Sequence, residues 1–497
     1  MRSKRSVLGR GLAALLGMLA LVTDTRAELT IDQLSPKLSV AGSLRARWEL
    51  WNWFEPHGTQ NNDYDFIGTT ARLGVQWRDD AFDVVVEGQN AALIGLPTTG
   101  IAPPPEGNLG LGATYFQLNR TRNDASVFLK QGYLTLKRVG ITGLTIKGGR
   151  FEFSEGNEVL TGNPTLDWLK NFRVSQRLSG TAGFTEIGRA FDGAVVAFTS
   201  APYNVTLMAS HPTQGVFDLN AMKEIDDTDV AYAAFNLTTP SWLSDADARL
   251  FYIYYDDRRR QVKADNRPLT VRQGSDRHHD VLVHTEGAHF IYALPTIYGP
   301  IDVLLWGVIQ QGDWGLLDHS AWSWDWEVGW QPKDTPGKPW LRLGYSRSSG
   351  DDNPNDSDHG TFFEVLMSQR LYAYSVFYNL MNSDDIFAEI ILRPINGLLS
   401  RTAWHTLRAD QSQDLWYAGS GATLGASNRP EGFGFAGRPL NGQRELFTLA
   451  ETTLSYDWNR HLNTNLYYTH VFGGAVIDRI YAGTGADFGY LETTVRF

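Results

Sequence analysis

Apolar and polar residues alternate along many segments of this chain. In the first such segment one face is apolar and the other polar: Leu38, Val40, Leu44, Ala46, Trp48 and Leu50 against Ser39, Ser43, Arg45, Arg47 and Glu49. A repeat of two residues is typical of a β-strand whose two faces meet different surroundings. Because similar segments recur towards the end of the chain, the pattern predicts an all-β fold.

The alternation also marks hairpins. Residues 71–77 and 82–89 alternate in the same way, and the turn at Asp79 and Asp80 separates them. Further alternating faces occur at residues 325–331 and 341–343. Short connections lie near 79–81, 139–142, 201–202 and 458–461, whereas long polar or Gly/Pro-rich ones lie near 91–124, 154–182, 256–280, 346–360, 409–444 and 473–486. Short turns on one side and long loops on the other are typical of outer-membrane barrels.

Two further features favour a transmembrane barrel over a soluble β-protein. The chain has no mature apolar stretch long enough for a membrane-spanning helix, which needs about 20 residues, and a closed barrel satisfies all backbone hydrogen bonds between strands. In the last segment Leu491, Thr493, Val495 and Phe497 share one face, and the sequence stops on the aromatic residue. Aromatic residues near strand ends, such as Trp51, Trp53, Phe54 and Trp458, are expected in girdles at the membrane interface.

The number of strands depends on residues 361–380. Pairing short turns with long loops gives 18 strands if this segment is a partly helical loop excursion, and 20 strands if it forms a hairpin. We expect 18. A barrel of that size leaves an aqueous channel unless its loops fold inside.

The N-terminus has the pattern of a secretory signal. Basic residues precede the apolar run 11–22, and residues 25–27 end in a small residue, so cleavage is expected after Ala27 and residues 28–497 form one barrel domain. The chain has no cysteine and a formal net charge of −11, which becomes more negative once the basic signal segment is removed. An acidic chain of this kind is not expected to bind nucleic acid.

Sequence motifs for enzymatic chemistry are weak. His284 and Glu286 fall on one face of a predicted strand and His289 on the other, so they do not form a zinc motif. The Gly-x-Gly-x-x-Gly string at 432–437 is followed by Arg-Pro rather than by a helix start, and is expected to be a loop. The acidic run 351–358 lacks the glycine and glutamate of a calcium loop. We therefore expect no enzyme activity, cofactor or catalytic residue, with loop calcium as a minor alternative.

The candidate functional residues are charges that alternation turns into the lumen, because a lipid-facing Arg or Lys costs about 2–4 kcal/mol at mid-membrane. The positive candidates are Arg45, Arg47, Arg72, Lys130 and Arg150, and the negative ones are Glu49, Glu87 and Glu152. The alternative is a generic hydrated wall of mixed charge without selectivity.

Residues 129–192 resemble the alginate export outer-membrane protein family. The resemblance rests on Leu-Lys130-Gln-Gly-Tyr-Leu, on the run from Leu144 to Asn157 that contains Gly149-Arg150-Phe-Glu152, and on Arg189-Ala-Phe-Asp192-Gly. It implies an 18-stranded monomeric barrel with a narrowed electropositive channel.

The resemblance also assigns individual residues. It implies that Lys130 is a basic pore residue, that Arg150 is the motif arginine and that Asp192 belongs to the pathway. At Glu152, however, the alginate exporter itself carries a basic residue, which argues for a different cargo. Strict alternation cannot turn Lys147, Arg150 and Glu152 all inward, so we expect a bulge at Gly148-Gly149 to shift the parity.

The sequence therefore predicts a passive channel in the outer membrane of a Gram-negative bacterium, exporting an anionic, alginate-like polysaccharide. The alternative is a general or substrate-selective porin for small-solute uptake. Expected partners are outer-membrane lipid and lipopolysaccharide, the transported saccharide or solute, the barrel-assembly machinery and periplasmic export proteins. A plugged receptor is disfavoured, because strands begin near Leu38 and leave no room for a plug domain.

Overall fold

Eighteen antiparallel strands close into one barrel in the computed structural model, which describes residues 37–366, 368, 376–417 and 437–497. The predicted signal peptide lies outside these residues. The strands are β1 Leu38–Asn52, β2 Asp63–Arg78, β3 Phe82–Ile94, β4 Asn123–Lys137, β5 Leu144–Phe151, β6 Phe191–Ser200, β7 Tyr203–Pro212, β8 Thr228–Thr238, β9 Ala246–Asp257, β10 Val281–Leu294, β11 Ile301–Trp314, β12 Leu317–Trp330, β13 Trp340–Ser348, β14 Asp384–Leu392, β15 Leu398–Arg408, β16 Glu445–Asp457, β17 Leu462–Gly473 and β18 Gly485–Arg496.

The barrel closes between its first and last strands. β1 pairs with β2 on one side and with β18 on the other, in a register that sets Arg47 opposite Glu492 and Leu44 opposite Val495. The last alternating segment of the sequence is thus the closing strand. With no free sheet edge, every strand satisfies its backbone groups against two neighbours.

The two faces of each strand meet different surroundings, as the alternation predicts. Apolar side chains of one parity point outward, with exposed fractions of 57% for Leu73, 49% for Leu207 and 57% for Leu343. Residues of the other parity, such as Asn204 and Arg342, are buried inside. The outward set forms the lipid-facing surface.

Connections differ in length at the two ends of the barrel. One end has short turns such as 79–81, 201–202 and 458–461, and the other has the long loops 95–122, 152–190, 349–383 and 409–444, although β11 and β12 are joined there by two residues. The turn end is periplasmic and the loop end extracellular. The described part of 361–380 carries no strand and no helix, so 18 strands is confirmed but the helical expectation is not met there.

Short helices occur within the loops: α1 Leu111–Asn119, α2 Pro164–Leu169, α3 Leu269–Arg272 and α4 Ala475–Ile480, with a π-helical turn at Lys170–Val174 and a 3₁₀ turn at Ser275–His278. A two-residue strand at Asp358–His359 pairs in parallel with β12, and Leu415–Tyr417 pairs with Gly437–Pro439. Within the described residues, none of the helices is long and apolar enough to span a membrane.

The aromatic residues at the end of β1 do not form a membrane girdle. Trp51 and Trp53 are buried inside the barrel, where Trp51 stacks on Phe488 at 3.9 Å and Trp53 on Phe377 at 4.6 Å. The girdle prediction is wrong for them because loop 349–383 folds inside and supplies an apolar partner. At the turn end, Trp458 is 58% exposed, as an interfacial residue would be.

Candidate functional site

The loop between β5 and β6, residues 152–190, folds into the barrel and is called the lumen loop below. On one side its carbonyl oxygens accept hydrogen bonds from strand residues, as Thr185 does from Arg45 and Ile187 does from Lys130. On another side of the wall, Lys170 of the loop reaches Asp247 of β9 at 3.0 Å. The loop therefore crosses the lumen and narrows it.

The local sequence explains how the loop presents its cations. Asn163 caps α2 by accepting from the backbone N–H groups of Thr165 and Leu166, and Pro164 occupies the first helical position, where its missing N–H has no cost. The helix continues into the π-helical turn Lys170–Val174. Lys170 and Arg173 both lie within this turn, against the inner wall.

Arg45 and Arg47 lie on the lumen side of β1. Glu186 of the lumen loop lies 3.5 Å from Arg47 and 3.9 Å from Arg45, and Glu492 of β18 lies 2.6 Å from Arg47. Glu186 also accepts from the hydroxyl of Tyr115 at 2.9 Å. Both arginines are thus paired with carboxylates that the chain itself supplies.

Arg72 of β2 and Lys130 of β4 form a second cationic group in the lumen, with Glu152 between them. Both guanidinium nitrogens of Arg72 donate to Glu152, at 3.0 and 3.1 Å, and Lys130 Nζ lies 3.4 Å away. Burial alone would raise the pKa of Glu152, but Lys130 and Arg72 hold that pKa below its ordinary value. Glu152 therefore neutralises part of this positive group.

The parity shift that the sequence requires occurs in β4, not at Gly148-Gly149. The β4–β5 register runs without interruption through Gly148 and Gly149. The β3–β4 register instead shifts between Glu87 and Gly88, so that Lys130 is the extra residue. A bulge there turns both Lys130 and Gln131 inward. Glu152 reaches the lumen because β5 ends at Phe151 and the chain turns into the barrel.

Arg150 and Asp192 differ from the prediction. Arg150 of β5 is the direct register partner of Asp192 of β6, and Asp192 is the partner of His211 of β7. His211 is one of the exposed, outward-facing positions of β7, so all three residues lie on the outer face. Arg150 donates to both carboxylate oxygens of Asp192, at 2.7 and 2.5 Å. Because no bulge occurs in β5, its parity sets Arg150 on the outer face near the loop end, outside the lumen.

The wall formed by β11 to β13 is acidic and meets the cations of the lumen loop. Glu327 accepts from Arg173 at 2.7 Å and from Arg342 at 2.6 Å. Arg342 also reaches Asp302 at 2.5 Å, and all three of these strand residues are buried. The loop is thus complementary to both walls: its carboxylate Glu186 faces basic β1, and its cations face the acidic strands.

A second loop, 349–383, packs against the first. The Arg189 guanidinium donates to the carbonyl of Leu366 at 3.0 Å, and Gln310 of β11 donates to the carbonyl of Phe363 at 2.7 Å. Burial lowers the pKa of Arg189 to about 10. The lumen therefore contains two interlocked loop segments.

The sequence did not single out the loop residues of this network. Glu186, Lys170 and Arg173 have no periodic pattern, and their spacing along the chain gives no sign that they meet strand residues. Two strand residues of the network did carry a signal, because Glu327 and Arg342 occupy polar positions of alternating segments. Alternation thus identifies the wall but not the loop that covers it.

The other motifs noted in the sequence are the histidines of β10, the acidic run 351–358 and the glycine-rich string at 432–437. His289 points inward to Asp247 at 2.8 Å, whereas His284 contacts Tyr252 on the outer face, which confirms that they are separated. In the described ranges, no group of three or more His, Cys, Asp or Glu residues could hold a metal ion. Asp351 of the acidic loop accepts instead from backbone N–H groups of Asn353 and Gly360. Most of the glycine-rich string at 432–437 lies outside the described residues.

Comparisons with known proteins agree with this architecture. A family model described as alginate export matches residues 37–483. No curated protein sequence matches the chain significantly.

Solved structures of similar fold include three outer-membrane proteins. A BenF-like porin from Pseudomonas fluorescens Pf-5 has a TM-score of 0.57 at 9% identity, covering 93% of this chain and 98% of the porin. OccAB1 of Acinetobacter baumannii has a TM-score of 0.55 at 9% identity, with 92% and 96% covered. OpdK of Pseudomonas aeruginosa, solved with vanillate, has a TM-score of 0.54 at 10% identity, with 92% and 98% covered. At these identities the likeness concerns the fold.

Proposed function

The chain belongs to the alginate export family of outer-membrane channels, and we propose that it carries an anionic, alginate-like polysaccharide outward by passive diffusion. The channel is a barrel of the Gram-negative outer membrane. What we propose is the identity of the cargo and the direction in which it is transported.

The supporting observation is that the lumen-facing cations of β1, β2 and β4, called the basic wall below, hold carboxylates of the chain itself. Arg45, Arg47, Arg72 and Lys130 all contact carboxylates of the chain, namely Glu152, Glu186 and Glu492. A uronate unit carries the same chemical group. An anionic polymer can exchange with these internal carboxylates one unit at a time, because each contact is strong enough to attract and weak enough to release.

The lumen loop has a defined part in this proposal. Glu186 is fully buried between Arg45, Arg47 and Tyr115, a position that a substrate carboxylate would have to take over. Movement of the loop exposes the arginines of β1 to the lumen. Charge complementarity between loop and wall makes this movement sensitive to salt, since ionic contacts weaken with ionic strength.

The proposal needs no cofactor and no catalytic group, and we propose that the protein is not an enzyme. Lipopolysaccharide would contact the outward surface near the loop end, the barrel-assembly machinery would insert the chain, and periplasmic export proteins would deliver the polymer to the turn end.

Uptake of small solutes is the second candidate. The mixed charge and the two loops inside the lumen favour it, because a narrow lumen suits small molecules more than a polymer. OpdK, a protein of similar fold, was solved with vanillate, itself a small carboxylate.

Current block in planar bilayers separates the two candidates. The purified full-length protein is titrated with oligouronates and with neutral oligosaccharides of equal length. Export of an anionic polymer predicts block by the uronates at concentrations at least about tenfold lower. Equal block by both sugars, or no block by either, would contradict it.

A further inference from the structure

A cleft of about 520 Å³ opens at the turn end of the barrel, beside the closing seam. It lies between the start of β1, the end of β2 and the end of β18, and the turn before β17 completes it. Cavities of a few hundred Å³ are typical of small-molecule sites. The cleft is separate from the basic wall described above and faces the periplasm.

Three arginines line this cleft: Arg78, Arg460 and Arg496. Arg78 donates to Gln76 at 2.7 Å, and Arg460 donates to His461 Nε2 at 2.7 Å. None of the three forms an ion pair with a side chain in the described part of the chain. Lys37 also lines the cleft, but its charge is balanced by Asp79.

This lack of carboxylate partners distinguishes the cleft from the lumen. Arg45, Arg47, Arg72 and Lys130 are each matched by an internal acid, whereas the cleft retains a net positive charge. Guanidinium groups bind carboxylates through paired, charge-assisted hydrogen bonds. The cleft therefore offers donors to an anion from outside the chain.

The backbone around the cleft is well fixed. The backbones of Phe497 and Gly42 form two reciprocal N–H···O hydrogen bonds of 2.9 Å, and His461 Nδ1 lies 3.1 Å from the carbonyl oxygen of Arg496. Ser39 and Gln76 face each other across β1 and β2 and add neutral polar groups. The side chains of the three arginines are exposed on this fixed backbone, where an anion from the periplasm can reach them.

We propose that this cleft binds the carboxylate groups of a sugar-acid chain at the periplasmic mouth, before the chain enters the lumen. The inference rests on the proposed function, because export delivers the polymer to the turn end. Its role is to raise the local concentration of polymer at the mouth and to hold one end in place for threading.

The test compares two triple variants of the full-length protein. In the cleft variant Arg78, Arg460 and Arg496 become Gln. In the matched control Arg138, Lys333 and Lys338 become Gln; these are exposed residues of other turns at the same rim. Both variants lose three positive charges, so a general change of surface potential affects them equally. Heat-modifiable gel migration verifies that each barrel is folded.

Calorimetric titration of each protein in detergent with a short oligouronate measures the binding constant. The proposal predicts that the cleft variant binds at least about tenfold more weakly than the control, which stays near the wild type. Equal weakening in both variants, or no change in the cleft variant, would overturn it. Inorganic phosphate that competes at the same concentration would also overturn it, because the cleft would then be a general anion site.

Bilayer recordings separate this site from the proposed function. Oligouronate added at the turn end should block the cleft variant less than the control, whereas addition at the loop end should block both alike. If uronates bind the cleft but neither block nor cross the channel, the site stands and the export proposal fails. If they block the cleft variant and the control alike from the turn end, the site fails and export stands.

Discussion

Glu152 lies between Arg72 and Lys130, and Glu87 lies 3.6 Å from Arg72, so two carboxylates balance the two cations at this level of the lumen. Removing the charge of Glu152 therefore makes this group of charges more positive by one unit. In a confined lumen such a change alters which ions pass.

The Glu152→Gln variant should conduct anions in preference to cations more strongly than the wild type. The matched control is Glu286→Gln, which removes the same charge from an exposed, outward-facing position of β10. Reversal potentials in a salt gradient measure the preference. An unchanged reversal potential in the Glu152 variant, or an equal shift in the control, would refute the placement of Glu152 in the ion pathway.

Arg342 illustrates what a buried ion pair contributes to stability. It contacts Glu327 and Asp302, and all three residues are buried. The Arg342→Met variant leaves the buried carboxylate of Asp302 without its cation and removes one of the cations that Glu327 contacts, which should cost about 3–5 kcal/mol of unfolding free energy. Arg258→Met, at an exposed pair with Asp229, should cost about 0–1 kcal/mol. Urea titration in detergent micelles measures both, and equal losses would contradict the burial argument.

At the scale of elements, the strands and the loops obey different constraints. β-Strands of a barrel must alternate between lipid and lumen, so Leu73, Leu207 and Leu343 could be assigned to the outside from sequence. The loops obey no such period. Two contacts illustrate this: Glu186 meets Arg47, and Phe377 stacks on Trp53. Both depend on how loops 152–190 and 349–383 fold into the barrel, which no local sequence pattern encodes.

Arg150 marks the limit of alternation within a strand. One extra residue reverses every side chain beyond it, so the position of a bulge decides which charges line the lumen. The sequence indicated that a parity shift was needed but not its place. The shift occurs at Lys130, and Arg150 consequently faces outward with Asp192.

The lumen loop should be dispensable for the barrel but not for its permeability. Phe151 and Phe191, which flank the loop, are paired neighbours in the sheet, so a short Gly-Ser linker can replace residues 154–188. The variant should fold and conduct at least about twofold more than the wild type, because the lumen is wider. Single-channel recording measures this. An unchanged conductance would mean that the loop does not limit passage.

The contact between loops 349–383 and 409–444 should depend on pH. Burial raises the pKa of Asp414 to about 7, although Thr361 and Tyr417 donate to its carboxylate. The pKa of an aspartate in an unfolded chain is about 3.9. The contact is therefore most stable below about pH 4, and its stability falls as the pH rises through about 7.

Hydrogen exchange of the Asp351 amide, which donates to Asp414, measures this dependence after correction for the intrinsic rate. Protection should be greater at about pH 5 than at about pH 8. The Asp414→Asn variant, which cannot ionise, should lose the difference. A pH dependence that persists in the variant would assign it to another group.

At the scale of the whole molecule, the barrel presents three charged regions along its axis. The cleft at the periplasmic mouth carries unmatched arginines, the basic wall of β1 to β4 carries cations matched by internal acids, and the loop end carries the acidic segment 351–358. An anionic chain would meet attraction first, then exchange, then repulsion.

Release of polymer from proteoliposomes distinguishes polysaccharide export from the passage of small solutes. Vesicles containing the purified protein are loaded with a uronate polymer or a neutral dextran of equal size, and efflux is followed without any energy source. We expect the uronate polymer to leave the vesicles and the dextran to be retained. Retention of both polymers, in vesicles that still release small solutes, would contradict polysaccharide export and leave a small-solute porin.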